Sequence, residues 1–191
     1  IFAKANAVKD VAWTAMDPPL RETMLVRGDV DAITGFSFTS LLNLEARGVK
    51  TEDIVVLPYS QYGVKLYGNV IIAGEDFLKK NPEAVKAFLR AFTKGVKDVI
   101  ADPKAGVATV KERDGIVNAD LELRRLKLAL DQTVLTPDAK AEGFGDVNAA
   151  RLALMASQVS AAFATKARVV ATSVWNAGFL PSVTDRSIFK K

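Results

Sequence analysis

Only a few side chains in this sequence have the types and spacing that chemistry requires. Asp29 and Asp31 form an Asp-x-Asp pair whose carboxylates could bind Mg²⁺ or Ca²⁺. No third oxygen ligand follows at the spacing of a calcium loop, so capping and solvated carboxylates are the simpler interpretation. Lys65 could form a Schiff base only if it were desolvated, and its polar neighbours do not indicate that. We therefore predict neither a metal site nor a catalytic lysine.

The 191 residues contain no histidine and no cysteine. Without them the chain cannot use Ser-His-Asp or Cys-His catalysis, an ordinary zinc site or a disulfide. The sequence also lacks the GxGxxG, P-loop and GxSxG motifs. We therefore predict that the protein is not an enzyme and uses no cofactor. Absence of cysteine is compatible with the periplasm but does not require it.

Aromatic and hydroxyl side chains form two clusters that favour binding. Phe36 and Phe38 flank Ser37 directly after Gly35, and alternation at a helix start places at least one of the two rings away from the core. A second cluster is rich in tyrosine and polar residues and contains Tyr59, Tyr67 and Asn69. Flat apolar faces with a few hydrogen-bonding groups suit a small planar or polar solute. Core packing of the phenylalanines and a purely surface role of the tyrosines are the alternatives.

The first cluster depends on a turn within residues 25–39. A helix is predicted to end at Gly28, which takes the left-handed cap at low cost, and a short buried strand follows over residues 30–34. Gly35 then allows a sharp turn, and Ser37 or Thr39 can cap the next helix. A strand that leads into a helix N-terminus is where open α/β sheets bind small molecules.

Further strands are predicted over residues 11–15, 54–57 and 70–73, and Asp17 is expected to cap the helix that begins at Pro18. The first three strands alternate with helices, which indicates parallel strands in an α/β fold. After residue 76 the chain is predicted to be helical, so the one plausible lobe boundary lies near residue 70. A helix over residues 82–100 has an apolar face formed by Val85, Phe88, Leu89, Phe92, Val96 and Ile100.

Charge and hydropathy exclude two classes of partner. The net charge is +4, and lysines and arginines are dispersed among acids, so no nucleic-acid surface is predicted. No apolar run reaches the ~18 residues of a membrane span.

The chain begins at Ile1 inside an apolar pattern, and we expect its natural start to lie upstream.

Two stretches of the sequence resemble one known family. Residues 26–32, Val-Arg-Gly-Asp-Val-Asp-Ala, are similar to the L-x-x-G-x-V-D-A signature of periplasmic solute-binding proteins. Residues 76–89 contain Asn-Pro-Glu-Ala-Val-Lys-Ala-Phe-Leu and resemble the family's F-x-x-x-N-P-E-x-V-x-A-F-L helix start. With Asp17-Pro18 and the ending Ala-Gly-Phe-Leu-Pro at 177–181, the resemblance is to the branch that serves nitrate, sulfonate, taurine and thiamine-precursor ABC importers. It covers essentially the whole chain.

The resemblance implies an α/β fold of the type II periplasmic-binding kind, with two lobes that close on a ligand. Residues 1–66 would form the second, ligand-closing lobe, residues 67–73 the crossing strand or hinge, and residues 74–191 the helical C-terminal part of the first lobe. The family's usual opening segment, which supplies most of the first lobe's sheet, has no counterpart here, so the first lobe is expected to be incomplete. A missing N-terminal segment or an oligomeric partner would cover the apolar surface that the incomplete first lobe leaves exposed.

The implied function is that of a periplasmic solute-binding subunit, which delivers a small molecule to an ABC permease without chemistry of its own. The ligand would be of the sulfonate, nitrate, taurine or pyrimidine (thiamine-precursor) type. Its binding residues would be Asp17, Gly35, Phe36, Ser37, Phe38, Tyr59, Tyr67 and Asn69. A fungal pyrimidine synthase of the same family depends on an active-site histidine, from which this chain departs. The alternative is the effector-binding domain of a transcription regulator or sensor. A DNA-binding helix-turn-helix encoded upstream would favour the regulator, whereas a signal peptide would favour the binding protein.

Overall fold

A computed structural model describes residues 1–167 and 169–189 of the chain. Helices dominate it, and short 3₁₀ turns, such as Pro18–Leu20 and Tyr59–Tyr62, join some of them. In these residues the α-helices are α1 (Phe2–Ala5), α2 (Arg21–Arg27), α3 (Ser37–Glu45), α4 (Glu75–Lys80), α5 (Pro82–Ala101), α6 (Pro103–Arg113), α7 (Ala119–Ala129), α8 (Pro137–Glu142) and α9 (Ala149–Phe163). A π-helical turn, Leu130–Val134, continues α7.

The helix boundaries follow from local signals that the sequence carries. Gly28 ends α2 in the left-handed region with φ of 76°, as predicted, and its N–H donates to the Leu25 carbonyl over 3.1 Å. Proline occupies the first position of α5 and of α6, where its missing N–H costs nothing. Asp102 also caps α6, since its carboxylate accepts the N–H groups of Lys104 and Ala105, each over 3.1 Å.

Two predicted caps are wrong in detail. Neither Ser37 nor Thr39 caps α3, because Phe36 occupies the N-cap position and the helix has no side-chain cap. Asp17 does precede the Pro18–Leu20 turn, but its backbone carbonyl, and not its carboxylate, accepts the Leu20 N–H over 3.0 Å. The position of each turn was therefore predictable from composition, while the choice between side-chain and backbone acceptors was not.

The predicted α/β character is not confirmed. Residues 11–15, 30–34, 54–57 and 70–73 were expected to be strands, and none of the described residues forms a β-ladder. Several of these apolar side chains are open to solvent, including Val55 and Ile72, which are 83% and 85% exposed. A strand exists only through hydrogen bonds to a neighbouring strand, and an apolar pattern in one segment does not supply that neighbour.

The buried core is small and lies between helices. Its apolar members are Leu42, Leu44, Val64, Val107, Leu130, Leu152, Ala156 and Ile188. Helix α3 packs against α2 on one side and α7 on the other. Arg124 of α7 pairs with Glu45 of α3 over 2.6 Å, and this hydrogen bond, helped by one from Thr51, lowers the pKa of the Glu45 carboxyl. These contacts hold the C-terminal end of α3, whereas the candidate site lies at its N-terminal end.

The apolar face of α5 is covered only in part. Phe88 and Phe92 stack with ring centroids 6.2 Å apart, yet they are 55% and 43% exposed. Val85 on the same face is half-buried. Each large side chain left in water forgoes roughly 1.5–3 kcal/mol of burial free energy. The chain therefore presents an apolar surface of the kind that other surfaces cover.

We predict that the 191-residue chain associates through this apolar surface. Sedimentation velocity should show a species larger than the 20.6 kDa monomer, and Phe88→Ser with Phe92→Ser should shift it toward the monomer. Val183→Ser is the matched control, because Val183 is 62% exposed but lies outside α5. A wild-type chain that sediments as a monomer at all concentrations would contradict the prediction.

None of the helices in the described residues is long and apolar enough to cross a membrane. The division into residues 1–66, 67–73 and 74–191 remains a prediction.

Candidate functional site

A cavity of about 300 Å³ opens between the Pro18–Leu20 turn, α2 and the first turns of α3. Two of the predicted binding residues, Gly35 and Phe36, form part of its wall. The complete lining is Pro18, Pro19, Arg21, Glu22, Gly35, Phe36, Thr39, Ser40 and Asn43. The volume is at the lower end of the range for small-molecule sites, so the cavity is suited to a small solute.

Local sequence features build this cavity. The Pro18-Pro19 pair opens the turn that enters α2, since proline is tolerated at the first positions of a helix. After α2 ends at Gly28, residues 29–36 lead to the start of α3, and Gly35 and Phe36 of this segment line the cavity. Phe36 has an extended backbone, with φ of −89° and ψ of 124°, and precedes the first residue of that helix.

Arg21 holds the two sides of the cavity together. Its guanidinium donates from Nη1 to the Thr34 carbonyl and from Nε to the Pro18 carbonyl, the latter over 3.4 Å. Hydrogen bonds from a charged donor are stronger than neutral ones, so this side chain fixes the spacing between the proline turn and residue 34. Sequence reasoning missed Arg21, because an arginine at the start of a helix has no pattern that marks it as a bridge.

Glu22 lies beside Arg21 in the wall of the cavity and is only 4% exposed. The Ser40 hydroxyl donates to Glu22 Oε1 over 2.8 Å, which joins α2 to α3. A carboxylate in the first turn of a helix is favoured by the helix dipole, and acids are common there for that reason alone. The sequence therefore contained no signal that separates Glu22 from an ordinary surface acid.

Gly35 is required by space and not by a left-handed backbone. A β-carbon at this position would lie 2.9 Å from Ser40 Oγ and 3.3 Å from Arg21 Nη1. The first distance is shorter than real β-carbon contacts, so a side chain would displace Ser40 or Arg21. Gly35 is not among the residues with positive φ. A glycine is therefore needed here because the Ser40 and Arg21 side chains approach the backbone closely.

The two phenylalanines form one aromatic surface. Their ring centroids lie 5.2 Å apart with an interplanar angle of 22°, a stacked arrangement. Phe36 is 47% exposed and lines the cavity, while Phe38 is half-buried behind it. Phe36 therefore offers a flat apolar face to a ligand, in agreement with the expectation that at least one ring points away from the core.

The remaining predicted residues do not line this cavity. Ser37 Oγ instead donates to Gln132 Oε1 over 2.5 Å, in the π-helical turn after α7. Tyr59 packs against Phe2 with ring centroids 5.6 Å apart, and Asn69 is exposed. Asp17 precedes the Pro18–Leu20 turn but is not part of the cavity lining. Binding roles for these residues stay predictions.

Tyr67 belongs to a separate polar cluster that attaches residues 65–67 to α8 and α9. Its hydroxyl accepts the Asn148 N–H over 2.8 Å and donates to Asp138 Oδ2 over 3.3 Å. The Arg151 guanidinium lies 4.2 Å from the centre of the Tyr67 ring and pairs with Asp138 over 2.7 Å. Arg151 also donates to the Leu66 carbonyl over 2.8 Å. The structure thus shows why Tyr67 is held in place, and its assignment to a hinge stays a prediction.

We predict that the Tyr67 phenol ionises above the usual range of a tyrosine. Burial raises the pKa of the Tyr67 phenol, and the Asp138 carboxylate adds to this, while the Asn148 N–H and Arg151 act in the opposite direction. Because the folded-state pKa is raised, the contribution of Tyr67 to the free energy of unfolding is complete below the unfolded value of about 10 and is lost as the pH rises through the folded value. Ultraviolet titrations of phenolate absorbance in the wild-type chain and in Tyr67→Phe measure this, and the difference between the two curves should have its midpoint above pH ~10. A difference curve with its midpoint at or below that pH would contradict the prediction.

Among the described residues, no group of three or more His, Cys, Asp or Glu side chains is placed to hold a metal ion.

A family model matches the part of the chain that contains the cavity. The family model described as NMT1/THI5 like matches residues 3–106, which is more than half of the chain and includes every residue of the cavity wall. The chain therefore belongs to the NMT1/THI5-like family. No curated protein and no solved structure matches the chain.

Family membership confirms the coarser part of what the sequence indicated. The family is that of nitrate, sulfonate and thiamine-precursor binding proteins, its fold is of the type II periplasmic-binding kind, and its members are typically periplasmic. A general role in binding small molecules follows. The motif at residues 76–89 lies inside the match, whereas the ending at residues 177–181 lies outside it.

Proposed function

We propose that this chain is the solute-binding subunit of an ABC importer. It captures a small molecule of the sulfonate, nitrate, taurine or pyrimidine (thiamine-precursor) type in an interlobe cleft of the periplasm and delivers it to the permease. It performs no chemistry on that molecule, because the chain has no histidine or cysteine and no enzyme motif. Closure of the lobes on the ligand would signal its presence to the permease as a shift in population.

The observation that carries the proposal is the cavity of about 300 Å³ at the Gly35 turn, whose lining lies entirely within residues 1–66 and would form the second lobe's side of the interlobe cleft. It lies within the part of the chain that defines the family, and it combines an exposed aromatic face with hydroxyl, amide, guanidinium and carboxylate groups. A few polar groups around an apolar surface give orientation and specificity to a small ligand.

Calorimetric titration of the 191-residue chain tests this proposal. Nitrate, taurine, ethanesulfonate and 4-aminopyrimidine represent the four ligand classes, and at least one should give saturable binding. A ligand at ~100 times its dissociation constant should add about 2.7 kcal/mol to the free energy of unfolding, which a thermal shift detects independently. Incubation of the bound ligand with the protein, followed by mass spectrometry, should show it unchanged.

Two results would overturn the proposal. One is turnover of a bound ligand, which would make the protein an enzyme. The other is the absence of both heat and thermal shift with every class at millimolar concentration.

A further inference from the structure

Glu22 differs from the other buried polar side chains in its hydrogen-bond and ion-pair partners. In the described residues, three polar or charged side chains are classed as buried: Glu22, Thr93 and Arg186. Thr93 donates to the Leu89 carbonyl within its own helix over 2.8 Å. Arg186 pairs with Asp146 over 2.9 Å and donates to backbone carbonyls as well. Glu22 has a single partner, the Ser40 hydroxyl.

No cation in the described part of the chain neutralises Glu22. No lysine or arginine nitrogen there lies within 4.0 Å of its carboxylate. The adjacent Arg21 directs its guanidinium to the carbonyls of Thr34 and Pro18 instead. A carboxylate has about four acceptor positions, and one hydroxyl occupies one of them. A buried carboxylate of this kind is stabilised when a cation neutralises its charge or when further hydrogen-bond donors occupy its free acceptor positions.

A further partner can reach Glu22 from the cavity that it lines. Phe36 contributes a half-exposed ring to the same wall, and Thr39 and Asn43 contribute groups that can both donate and accept hydrogen bonds. The wall therefore combines a negative acceptor and a flat apolar face with the Arg21 guanidinium, which already donates to the Thr34 and Pro18 carbonyls. That combination matches a ligand with a planar or compact apolar part and an ammonium, amidinium or amino group.

We propose that Glu22 is the specificity-determining residue of this cavity, and that it selects ligands with a cationic or N–H-rich group over purely anionic ones. The proposal rests on the proposed function and narrows it. Of the four ligand classes, taurine carries an ammonium group and aminopyrimidines carry amino N–H groups, whereas nitrate and simple alkanesulfonates have no such donor. Glu22 can only accept hydrogen bonds, so an anion without an N–H donor gains no hydrogen bond from it, whereas an ammonium or amino group does.

Benzamidine and benzoate test this charge preference, because they share a planar ring and size but carry opposite charges. Each is titrated into the ¹⁵N-labelled 191-residue chain, and the backbone amides of Phe36, Thr39 and Ser40 report binding at the cavity. Benzamidine should bind about tenfold to a hundredfold more tightly than benzoate, the range for hydrogen bonds to a charged group. Glu22→Gln should remove that preference by weakening benzamidine without weakening benzoate.

Two variants separate recognition from folding. Glu52→Gln makes the same charge change at an exposed site in the Thr51–Asp53 turn and should leave the preference unchanged. Ser40→Ala removes the contact between α2 and α3 but keeps the carboxylate, so it should keep the preference even if it lowers stability. If Glu22→Gln does not fold, Ser40→Ala becomes the decisive variant. A preference that depends only on the structural contact between Glu22 and Ser40 would be lost in Ser40→Ala, whereas a preference that depends on the Glu22 carboxylate itself would remain.

Equal affinities for the two probes, or a preference that persists in Glu22→Gln, would overturn the role of Glu22. Either result would leave small-molecule binding, and with it the proposed function, intact. Absence of chemical-shift changes at the three cavity amides with both probes would also overturn the role of Glu22. The proposed function is tested separately, by the calorimetric titrations with the four ligand classes.

Discussion

Gly35→Val is expected to abolish ligand binding while the helical fold persists. A valine β-carbon would enter the space 2.9 Å from Ser40 Oγ and 3.3 Å from Arg21 Nη1, and its methyl groups would extend into the cavity that Gly35 lines. Ser40 holds Glu22 and Arg21 holds Thr34, so displacement of either side chain alters the wall. Overpacking of this kind typically costs about 1–3 kcal/mol of stability, which is less than most domains possess.

The measurement is calorimetric titration of the variant with whichever ligand binds the wild-type chain, together with far-ultraviolet circular dichroism. Gly115→Val is the matched control. A β-carbon at Gly115 meets no atom within 4 Å, and its φ is not positive. That variant should bind like the wild type. Unchanged affinity in Gly35→Val would place the binding site elsewhere in the molecule.

The largest loss of stability is expected from Arg186→Ala. Arg186 is 5% exposed and donates to the Pro181 and Glu142 carbonyls over 2.9 and 3.0 Å. It also pairs with the Asp146 carboxylate over 2.9 Å. Its removal leaves that carboxylate and the buried carbonyls without their donor. Breaking a buried ion pair from one side typically costs about 3–5 kcal/mol, a large fraction of the stability of a domain.

Urea unfolding measures this loss as a lower midpoint with an unchanged slope. Arg186→Lys keeps the charge but loses the planar fork that reaches several acceptors at once, so its midpoint should fall between those of the wild type and the alanine variant. Arg113→Ala, at the exposed end of α6, is the control and should change the midpoint little. If Arg186→Ala and Arg113→Ala unfold at the same urea concentration, the Arg186 cluster does not stabilise the fold as described.

Most of the helical structure could be predicted because its signals are local. Asn81-Pro82 and Asp102-Pro103 mark the starts of α5 and α6 within one residue. Gly28 ends α2 because the left-handed cap is a property of one residue and its neighbours. Asn148 marks the start of α9 in the same way, because its side chain accepts the Arg151 N–H.

The candidate site was predictable only in part. Gly35 and Phe36 were identified from the turn that they form, and both line the cavity. Glu22 was missed because its burial depends on how α3 packs over α2, and helix packing is not encoded in the spacing of one helix. Tyr67 was identified for its residue type, yet its partner Asp138 lies 71 positions away in the chain.

By itself the sequence determined which chemistry is open to this protein and where its helices begin and end. Residue types limit the available acids, bases and metal ligands, and caps and apolar periodicity act over a few residues. The tertiary structure decided everything that requires two distant segments to meet. The four apolar segments that were predicted to be strands form no ladder in the described residues, since a ladder needs a partner strand. Likewise, the Glu22 carboxylate acquired its place in a cavity wall only because α3 packs over α2, with the Ser40 hydroxyl on its oxygen.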